Sequence, residues 1–190
     1  MLLDRLKAET RLAHDRIERD MRLAERTASR CLYQALLARF YGFHVAWEAE
    51  AEAIIADPDL FRGRRKMPLL MKDLRALGAT VEEIAALPAC RPLVPMPTRA
   101  VALGAMYVVE GSTLGGSIIA RHVERELGLG PETGCAYFRS YGREVGRMWK
   151  AFGTRLVAAS SPADDDLIVA SANATFECLR AWVCEEGSAA

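Results

Sequence analysis

The sequence predicts an all-α protein. Apolar residues recur every three or four positions through most of the chain, which is the period of an amphipathic helix. No run alternates apolar and polar residues as a half-buried strand does. Prolines are dense only at residues 87–97, so long stretches on either side can be helical. We therefore expect one multi-helical domain spanning residues 1–190.

Each element follows from its own boundary signals. Asp57-Pro58-Asp59 stops the second helix, and Thr80-Val81-Glu82-Glu83 has the form of a capping box that opens a short helix. Pro131 to Gly134 predicts a turn, and the last few residues are expected to fray. The other predicted helices are Leu3 to Ala24, Thr27 or Ser29 to Ala56, Lys66 to Leu77, Thr98 to Leu127, Phe138 to Ala159 and Ala163 to Cys184.

Composition narrows the class of protein. The chain is 51% hydrophobic and 26% charged, which is typical of globular proteins. Its formal net charge of zero favours neither a nucleic-acid partner nor a membrane partner. The five cysteines are scattered without a CxxC pair, which argues against a zinc site of the usual spacing and for free thiols. Charged residues interrupt any N-terminal signal, and we expect no transmembrane span and a cytoplasmic location.

The first predicted helix carries the most informative pattern. Lys7, Arg11, His14 and Glu18 follow steps of three or four residues and share one stripe, beside an apolar stripe. A ligating imidazole must be neutral, and Glu18 can accept the proton of its second nitrogen. The arrangement suits a flat ligand with an iron centre and acidic tails. The alternative is an ordinary surface histidine with i,i+4 charge partners.

Glycines in the predicted helix from Thr98 are the second unusual feature. Each costs about 1 kcal/mol relative to alanine inside a helix. Gly104, Gly111 and Gly115 share one face, and adjacent Gly115-Gly116 permits a kink. A glycine face lets another helix or a flat ligand approach the backbone closely, and the pattern alone leaves both open. The segment lacks GK[ST] and has no preceding strand, so it is neither a P-loop nor a dinucleotide fingerprint.

Together these features resemble the heme oxygenases, and the chain looks closest to the bacterial branch associated with bacteriophytochromes. The stretches that carry the resemblance are Leu6-Lys7 through His14 to Glu18; Tyr107-Val108-Val109-Glu110-Gly111-Ser112-Thr113-Leu114-Gly115-Gly116; and Tyr141-Gly142-Arg143-Glu144-Val145-Gly146-Arg147-Met148-Trp149, followed by Ala174-Thr175-Phe176. Their order and spacing span nearly the whole chain. The resemblance implies an all-α fold that holds heme between a proximal helix and a kinked distal helix.

The resemblance also implies an activity and its residues. Heme would be both substrate and cofactor, cleaved with dioxygen and electrons from an external ferredoxin or reductase to biliverdin, carbon monoxide and iron. His14 would bind the iron with Glu18 as its partner. Gly111, Ser112 and Gly115 would form the reactive distal side, and the remaining heme contacts would be Lys7, Arg11, Tyr107 and Arg143. Ser112 stands where many family members carry an aspartate. A bacteriophytochrome is the implied receiver of biliverdin.

Several alternatives compete with this reading. A heme-binding or heme-trafficking protein of the same fold would share His14 without turnover. A different enzyme on a similar helical fold is a second alternative: a thiaminase-like hydrolase would need a catalytic cysteine in its pocket, and a carboxylate-bridged di-iron protein would need Glu-x-x-His pairs, which the chain lacks. A helical interaction module that binds no heme is the third. His44 is expected in the core or at its rim and His122 in solvent, while the basic run Arg64-Arg65-Lys66 is either an ordinary loop or a docking site for an electron donor.

Overall fold

The structure, a computed structural model, describes residues 1–91 and 93–184. Within those residues it is all helical and contains no strand, which confirms the predicted fold class. The predicted fraying falls on residues 185–190, outside the described part. The helices are α1 (Leu2–Glu9), α2 (Arg11–Asp20), α3 (Leu23–Arg26), α4 (Arg30–Ile55), α5 (Pro58–Phe61), α6 (Met67–Ala76), α7 (Val81–Ala85), α8 (Arg99–Leu127), α9 (Ala136–Arg139), α10 (Val145–Ala159) and α11 (Asp165–Cys184), with a 3-10 turn at Gly142–Glu144.

Side-chain caps fix several helix starts where the sequence places them. The Ser29 hydroxyl accepts a hydrogen bond from the Leu32 amide at 3.2 Å, and the Thr98 hydroxyl accepts one from the Val101 amide at 3.3 Å. Thr80 and Glu83 form the predicted capping box at the start of α7. Each of these oxygens satisfies an amide that has no partner within its own helix.

The first predicted helix is wrong as a single element, because it divides at Thr10. The Thr10 hydroxyl donates a 2.7 Å hydrogen bond to the Leu6 carbonyl, a back-bond that commonly bends helices. A second break follows α2, where Arg22 adopts a left-handed backbone with φ of 42°. The predicted stripe from Lys7 to Glu18 therefore crosses the joint between α1 and α2.

The predicted helix from Phe138 to Ala159 is also interrupted. Ser140 has φ of 42° and Gly142 has φ of 56°, neither of which an α-helix allows. The short α9 therefore ends at Arg139, and α10 begins only at Val145. Gly142 was the visible sequence signal for this break, since glycine adopts positive φ without steric cost.

The core is built around α8 and α11, which pack on each other along much of their length. The Ser171 hydroxyl of α11 donates a 2.6 Å hydrogen bond to the Val101 carbonyl of α8. α4 and α10 also pack on α8, and α2 packs on α11. Buried apolar side chains from these helices form one continuous cluster.

Contrary to the expectation from sequence, two helices among residues 1–91 and 93–184 are long and apolar enough to cross a membrane by length and composition. They are α8 and α11, and 61% and 44% of their apolar windows are buried inside the fold. Burial in the core therefore accounts for much of the apolar character of α8.

Candidate functional site

His14 lies on the outer side of α2. Ala13 and Ile17 are buried and hold this helix on α11, whereas the side chain of His14 is 50% exposed. The imidazole packs edge-on against Phe176 of α11, with ring centroids 5.8 Å apart and planes at 83°. One edge of the ring thus rests on the core while its nitrogens remain accessible.

Two carboxylates flank the ring nitrogens of His14. Nε2 lies 3.6 Å from a Glu18 oxygen, and Nδ1 lies 3.8 Å from an Asp15 oxygen. Both distances exceed a hydrogen bond, so the ring is not locked in one orientation. The predicted partner Glu18 is therefore near, and Asp15 is a second candidate that the sequence reasoning missed.

The predicted cationic contacts lie on exposed positions. Lys7 of α1 and Arg11 of α2 are exposed, and the Arg11 Nε is 3.8 Å from Asp15. Arg143 is exposed on the 3-10 turn before α10. Within the described residues, no hydrogen bond or ion pair ties Arg143 to α1 or α2. These side chains can reach for acidic groups of a ligand, since long cationic side chains keep their heads in water.

Tyr107 connects α8 to the joint between α1 and α2. Its side chain interacts with that of Thr10, and its ring packs on Trp149 of α10 with centroids 5.5 Å apart. Burial raises the pKa of Tyr107, and the interaction with Thr10 opposes part of that rise. Thr10 precedes His14 by one turn and Tyr107 precedes Gly111 by one turn. The predicted proximal and distal positions therefore each lie about one turn along the chain from this interaction.

Beyond this contact, α8 presents an open face made of Gly111, Leu114, Gly115 and Ile118. A Cβ added at Gly115 would meet nothing within 4 Å, and one at Gly111 would lie 3.7 Å from Trp149. Leu114 is 40% exposed and Ile118 is 62% exposed. The face is thus apolar, accessible to solvent and flat at its two glycines, as a planar apolar ligand requires.

The other glycines of α8 pack helices instead. A Cβ at Gly104 would lie 2.3 Å from the Ile168 carbonyl of α11, and one at Gly116 would lie 2.8 Å from the Phe138 carbonyl. The face predicted to contain Gly104, Gly111 and Gly115 therefore has two uses. Its first glycine permits close helix packing, and the other two belong to the open face.

Ser112 is exposed beside the open face, and its hydroxyl donates to the Val109 carbonyl at 2.8 Å. With its proton engaged by the helix backbone, the oxygen can still accept a hydrogen bond from a water or a ligand. A role for Ser112 in positioning water stays a prediction.

A buried polar cluster adjoins the open face through Glu110, the residue before Gly111, and was missed in the sequence. Glu110 is 1% exposed, accepts a 2.7 Å hydrogen bond from the Tyr141 phenol and lies 3.6 Å from the Lys66 ammonium. The Arg64 guanidinium also pairs with Glu110 and donates to the Met148 carbonyl at 3.2 Å. We call Arg64, Lys66, Glu110 and Tyr141 the Glu110 cluster. Its visible signal was a glutamate within the apolar run before Gly111.

This cluster corrects the interpretation of the basic run at residues 64–66. Arg64 is 8% exposed and Lys66 is 1% exposed, so they face the core rather than an electron donor. Arg65 is exposed and pairs with Glu52. Burial lowers the pKa of Lys66 to about 8, partly offset by attraction to Glu110.

The other two histidines, His44 and His122, lie within hydrogen-bond distance of side chains outside this site. His44 is buried, as expected, with Nε2 3.2 Å from the Tyr137 phenol, and burial lowers its pKa. His122 is not simply solvent-facing as expected, because its Nε2 lies 2.8 Å from the Thr27 hydroxyl. Neither imidazole is exposed as His14 is, so His14 is the best placed to bind an external metal centre.

The residues present fit a heme. The His14 imidazole could hold the iron, the open face of α8 has room for a flat apolar ring, and the exposed cations could meet carboxylates. His14, Asp15 and Glu18 bring their ligand atoms within 4.8 Å of one another. Asp15 and Glu18 are exposed carboxylates, which suit orientation of the imidazole better than a closed cage for a bare ion.

Comparisons with known proteins agree with this geometry. The family model for heme oxygenases matches residues 1–185. A heme oxygenase of Xanthomonas campestris pv. campestris (strain 8004) is 36% identical over 118 residues, which are 60% of this chain and 64% of that relative's length.

Two solved structures share the fold. Heme oxygenase from Leptospira interrogans has a TM-score of 0.81 at 17% identity, covering 97% of this chain and 99% of that one. The NO- and CO-bound heme oxygenase of Neisseria meningitidis has a TM-score of 0.78 at 22% identity, covering 100% and 95%. On the family match over nearly its whole length, this chain belongs to the heme oxygenase family.

Proposed function

We propose that this protein is a heme oxygenase that cleaves heme to biliverdin, carbon monoxide and iron, using dioxygen and external electrons. Membership of the family supports the reaction class. The observation that carries the proposal is the pairing of an accessible His14 with the open face of α8 through the contact between Thr10 and Tyr107. When bound, heme supplies the redox chemistry, and the protein supplies binding, orientation and control of water.

In this proposal His14 binds the iron through one ring nitrogen. If Nδ1 held the iron, Nε2 would donate its proton toward Glu18, and if Nε2 held it, Nδ1 would donate toward Asp15. A carboxylate in that position keeps the imidazole in a single tautomer and raises its basicity. Phe176 limits rotation of the ring by packing against its edge.

The acidic groups of heme are assigned to the exposed cations. Lys7 and Arg11 lie on the same stretch of chain as His14, and Arg143 precedes α10. A carboxylate held by several long cationic side chains in water gains modest energy from each. We therefore assign these residues to orientation of the ring, while burial of the apolar ring provides most of the affinity.

The distal side of the proposed site is kept free of side chains by Gly111 and Gly115. Tyr107 and Trp149 form an apolar wall at one end of this side. Ser112 accepts a hydrogen bond from water, in the position where a carboxylate serves many family members. The Glu110 cluster joins α8 to α10, because Arg64 binds both Glu110 and the Met148 carbonyl.

The partners follow from the reaction. Electrons come from a ferredoxin or reductase, because the chain has no flavin or nicotinamide motif. A bacteriophytochrome is the proposed receiver of biliverdin, and the cytoplasm is the proposed location.

Hemin titration followed by turnover tests the function. We expect a Soret band on addition of hemin, and biliverdin with carbon monoxide on addition of ascorbate or of a ferredoxin system under air. A Soret band without biliverdin under either electron source would favour a heme-binding protein without turnover. Absence of a Soret band would favour an interaction module or a different enzyme.

A further inference from the structure

Two cysteines distant in sequence meet on the side of α11 away from His14. Cys178 of α11 and Cys90 have their sulfurs 3.8 Å apart. Cys90 lies in the proline-rich segment, residues 87–97, and its amide donates a 2.9 Å hydrogen bond to the Gly42 carbonyl of α4. The segment is thereby held on α4 while its thiol faces α11.

The two thiols differ in environment. Cys90 is 2% exposed, whereas Cys178 is partly exposed. The hydrogen bond from Cys90 lowers the pKa of Cys178 to about 7, against the opposing effect of burial, and the Val94 amide also favours the thiolate. The same hydrogen bond, with burial, raises the pKa of Cys90. Cys178 is thus the more nucleophilic thiol, and Cys90 keeps the proton.

The other cysteines lack this arrangement. Cys31 is exposed at the start of α4. Burial raises the pKa of Cys135 to about 11 and also raises the pKa of Cys184. A thiol that is both partly accessible and favoured as a thiolate is therefore found at Cys178, with a second thiol beside it.

We propose that Cys90 and Cys178 form a thiol–disulfide redox site that is oxidised by hydrogen peroxide. Cys178 borders an apolar crevice with Phe43, Trp47 and Met96 that is too narrow to admit a water molecule, so an oxidant must reach the sulfur from the partly exposed side of Cys178. Because Cys90 is buried beside it, this approach favours a small uncharged oxidant over a bulky charged disulfide such as oxidised glutathione. The site lies apart from the proposed heme contacts and does not depend on the proposed function.

The reaction balances with peroxide as the only oxidant. The Cys178 thiolate attacks one peroxide oxygen, the O–O bond breaks, and the departing hydroxide takes up a proton to become water. The Cys90 sulfur then attacks the resulting sulfenic sulfur, the S–O bond breaks, and the hydroxide leaves with the Cys90 proton as a second water. Two thiols and one peroxide give one disulfide and two waters.

Closing the bond requires a short movement. The sulfurs must approach from 3.8 Å to roughly 2.05 Å. The disulfide would join α11 to the segment that leads into Thr98, the cap of α8. Phe176, two residues before Cys178, contacts His14. The bond therefore restrains a helix that also packs against the proposed heme ligand.

Oxidation of the full chain without heme tests the proposal separately from heme turnover. Reduced protein is treated with one equivalent of hydrogen peroxide, and unreduced digests are analysed by mass spectrometry. We expect a peptide linking residues 90 and 178, loss of two thiols per chain, and a melting temperature raised by roughly 5–10 °C that dithiothreitol reverses. Cys90→Ser should stop at a sulfenic acid on Cys178 that dimedone traps, and Cys178→Ser should form neither product.

Cys31→Ser is the matched control and should oxidise as the wild type does. The proposal is overturned if peroxide leaves residues 90 and 178 reduced while Cys31 is oxidised. It is also overturned if dimedone labels Cys178 no more than Cys135 in Cys90→Ser.

Discussion

Gly104 and Gly115 lie on the same side of α8, yet only Gly104 is covered by another helix. An added Cβ at Gly104 would lie 2.3 Å from the Ile168 carbonyl, while one at Gly115 would meet nothing within 4 Å. The fold therefore needs a glycine at the first position, and a ligand would need one at the second. Substitutions at Gly104 should therefore change the stability of the fold, whereas substitutions at Gly115 should change heme binding or turnover.

We predict that Gly115→Leu preserves the fold and blocks the reaction. Replacing a helix-interior glycine where no neighbour interferes should raise the free energy of unfolding by roughly 0.5–1 kcal/mol. The leucine side chain would occupy the open face of α8, so hemin affinity or biliverdin yield should fall at least tenfold. Urea denaturation, hemin titration and ascorbate turnover measure these effects.

Gly104→Ala is the matched control for this prediction. Because its Cβ would collide with backbone of α11, the free energy of unfolding should fall by about 1–3 kcal/mol. Wild-type turnover by folded Gly115→Leu would contradict the assignment of the open face to heme.

We predict that His14→Ala removes the axial imidazole without unfolding the protein. The side chain is 50% exposed, so the free energy of unfolding should change by less than about 0.5 kcal/mol. The hemin complex should lose its imidazole-ligated absorption spectrum and regain it when imidazole is added. His122→Ala, which alters another histidine outside the site, should keep the wild-type spectrum. An unchanged spectrum in His14→Ala would show that another residue binds the iron.

We predict that Glu110→Gln destabilises the protein through its buried cations. The glutamine amide cannot neutralise the buried charges of Arg64 and Lys66. The free energy of unfolding should therefore fall by about 3 kcal/mol. Glu52→Gln removes the partner of exposed Arg65 and should cost under about 1 kcal/mol. Equal losses in the two variants, measured by urea denaturation, would mean that the Glu110 carboxylate does not neutralise buried cations.

Sequence patterns predicted the Thr80 capping box and the starts of α4 and α8 because those signals are local. The hydroxyls of Ser29 and Thr98 cap helices formed by the residues that directly follow them. The break at Thr10 coincides with a hydrogen bond from the Thr10 hydroxyl to the Leu6 carbonyl. The spacing of apolar residues does not reveal such a bond. The break between α9 and α10 was not predicted, because a single glycine, Gly142, is its sequence signal and glycine also occurs inside helices.

In the site, too, local patterns were visible in the sequence and contacts between distant residues were not. The stripe that contains His14 and Glu18 was visible because one helix carries both residues. The pairing of Glu110 with Arg64 joins residues 46 apart in sequence and depends on tertiary packing. The sequence also left open whether the glycines face a helix or a ligand, and only the position of α11 distinguishes Gly104 from Gly115.

We predict that Lys66 makes stability rise with pH above about 8. Burial lowers the pKa of Lys66 to about 8 in the folded protein, against 10.5 for an unperturbed lysine. Below pH 8 both states carry the proton, and the folded state bears the full cost of the buried ammonium.

Between pH 8 and pH 10.5 the folded state releases this proton first, so the unfolded state binds more protons and stability increases. The difference in free energy of unfolding between the wild type and Lys66→Met should therefore rise across that range, by about 3 kcal/mol in total. Lys72→Met, which removes an exposed lysine paired with Glu132, should run parallel to the wild type. Urea denaturation of the heme-free proteins at half-unit pH intervals gives the three curves. A flat difference for Lys66→Met would mean that the Lys66 ammonium keeps its ordinary pKa, and that the Glu110 carboxylate fully compensates its burial.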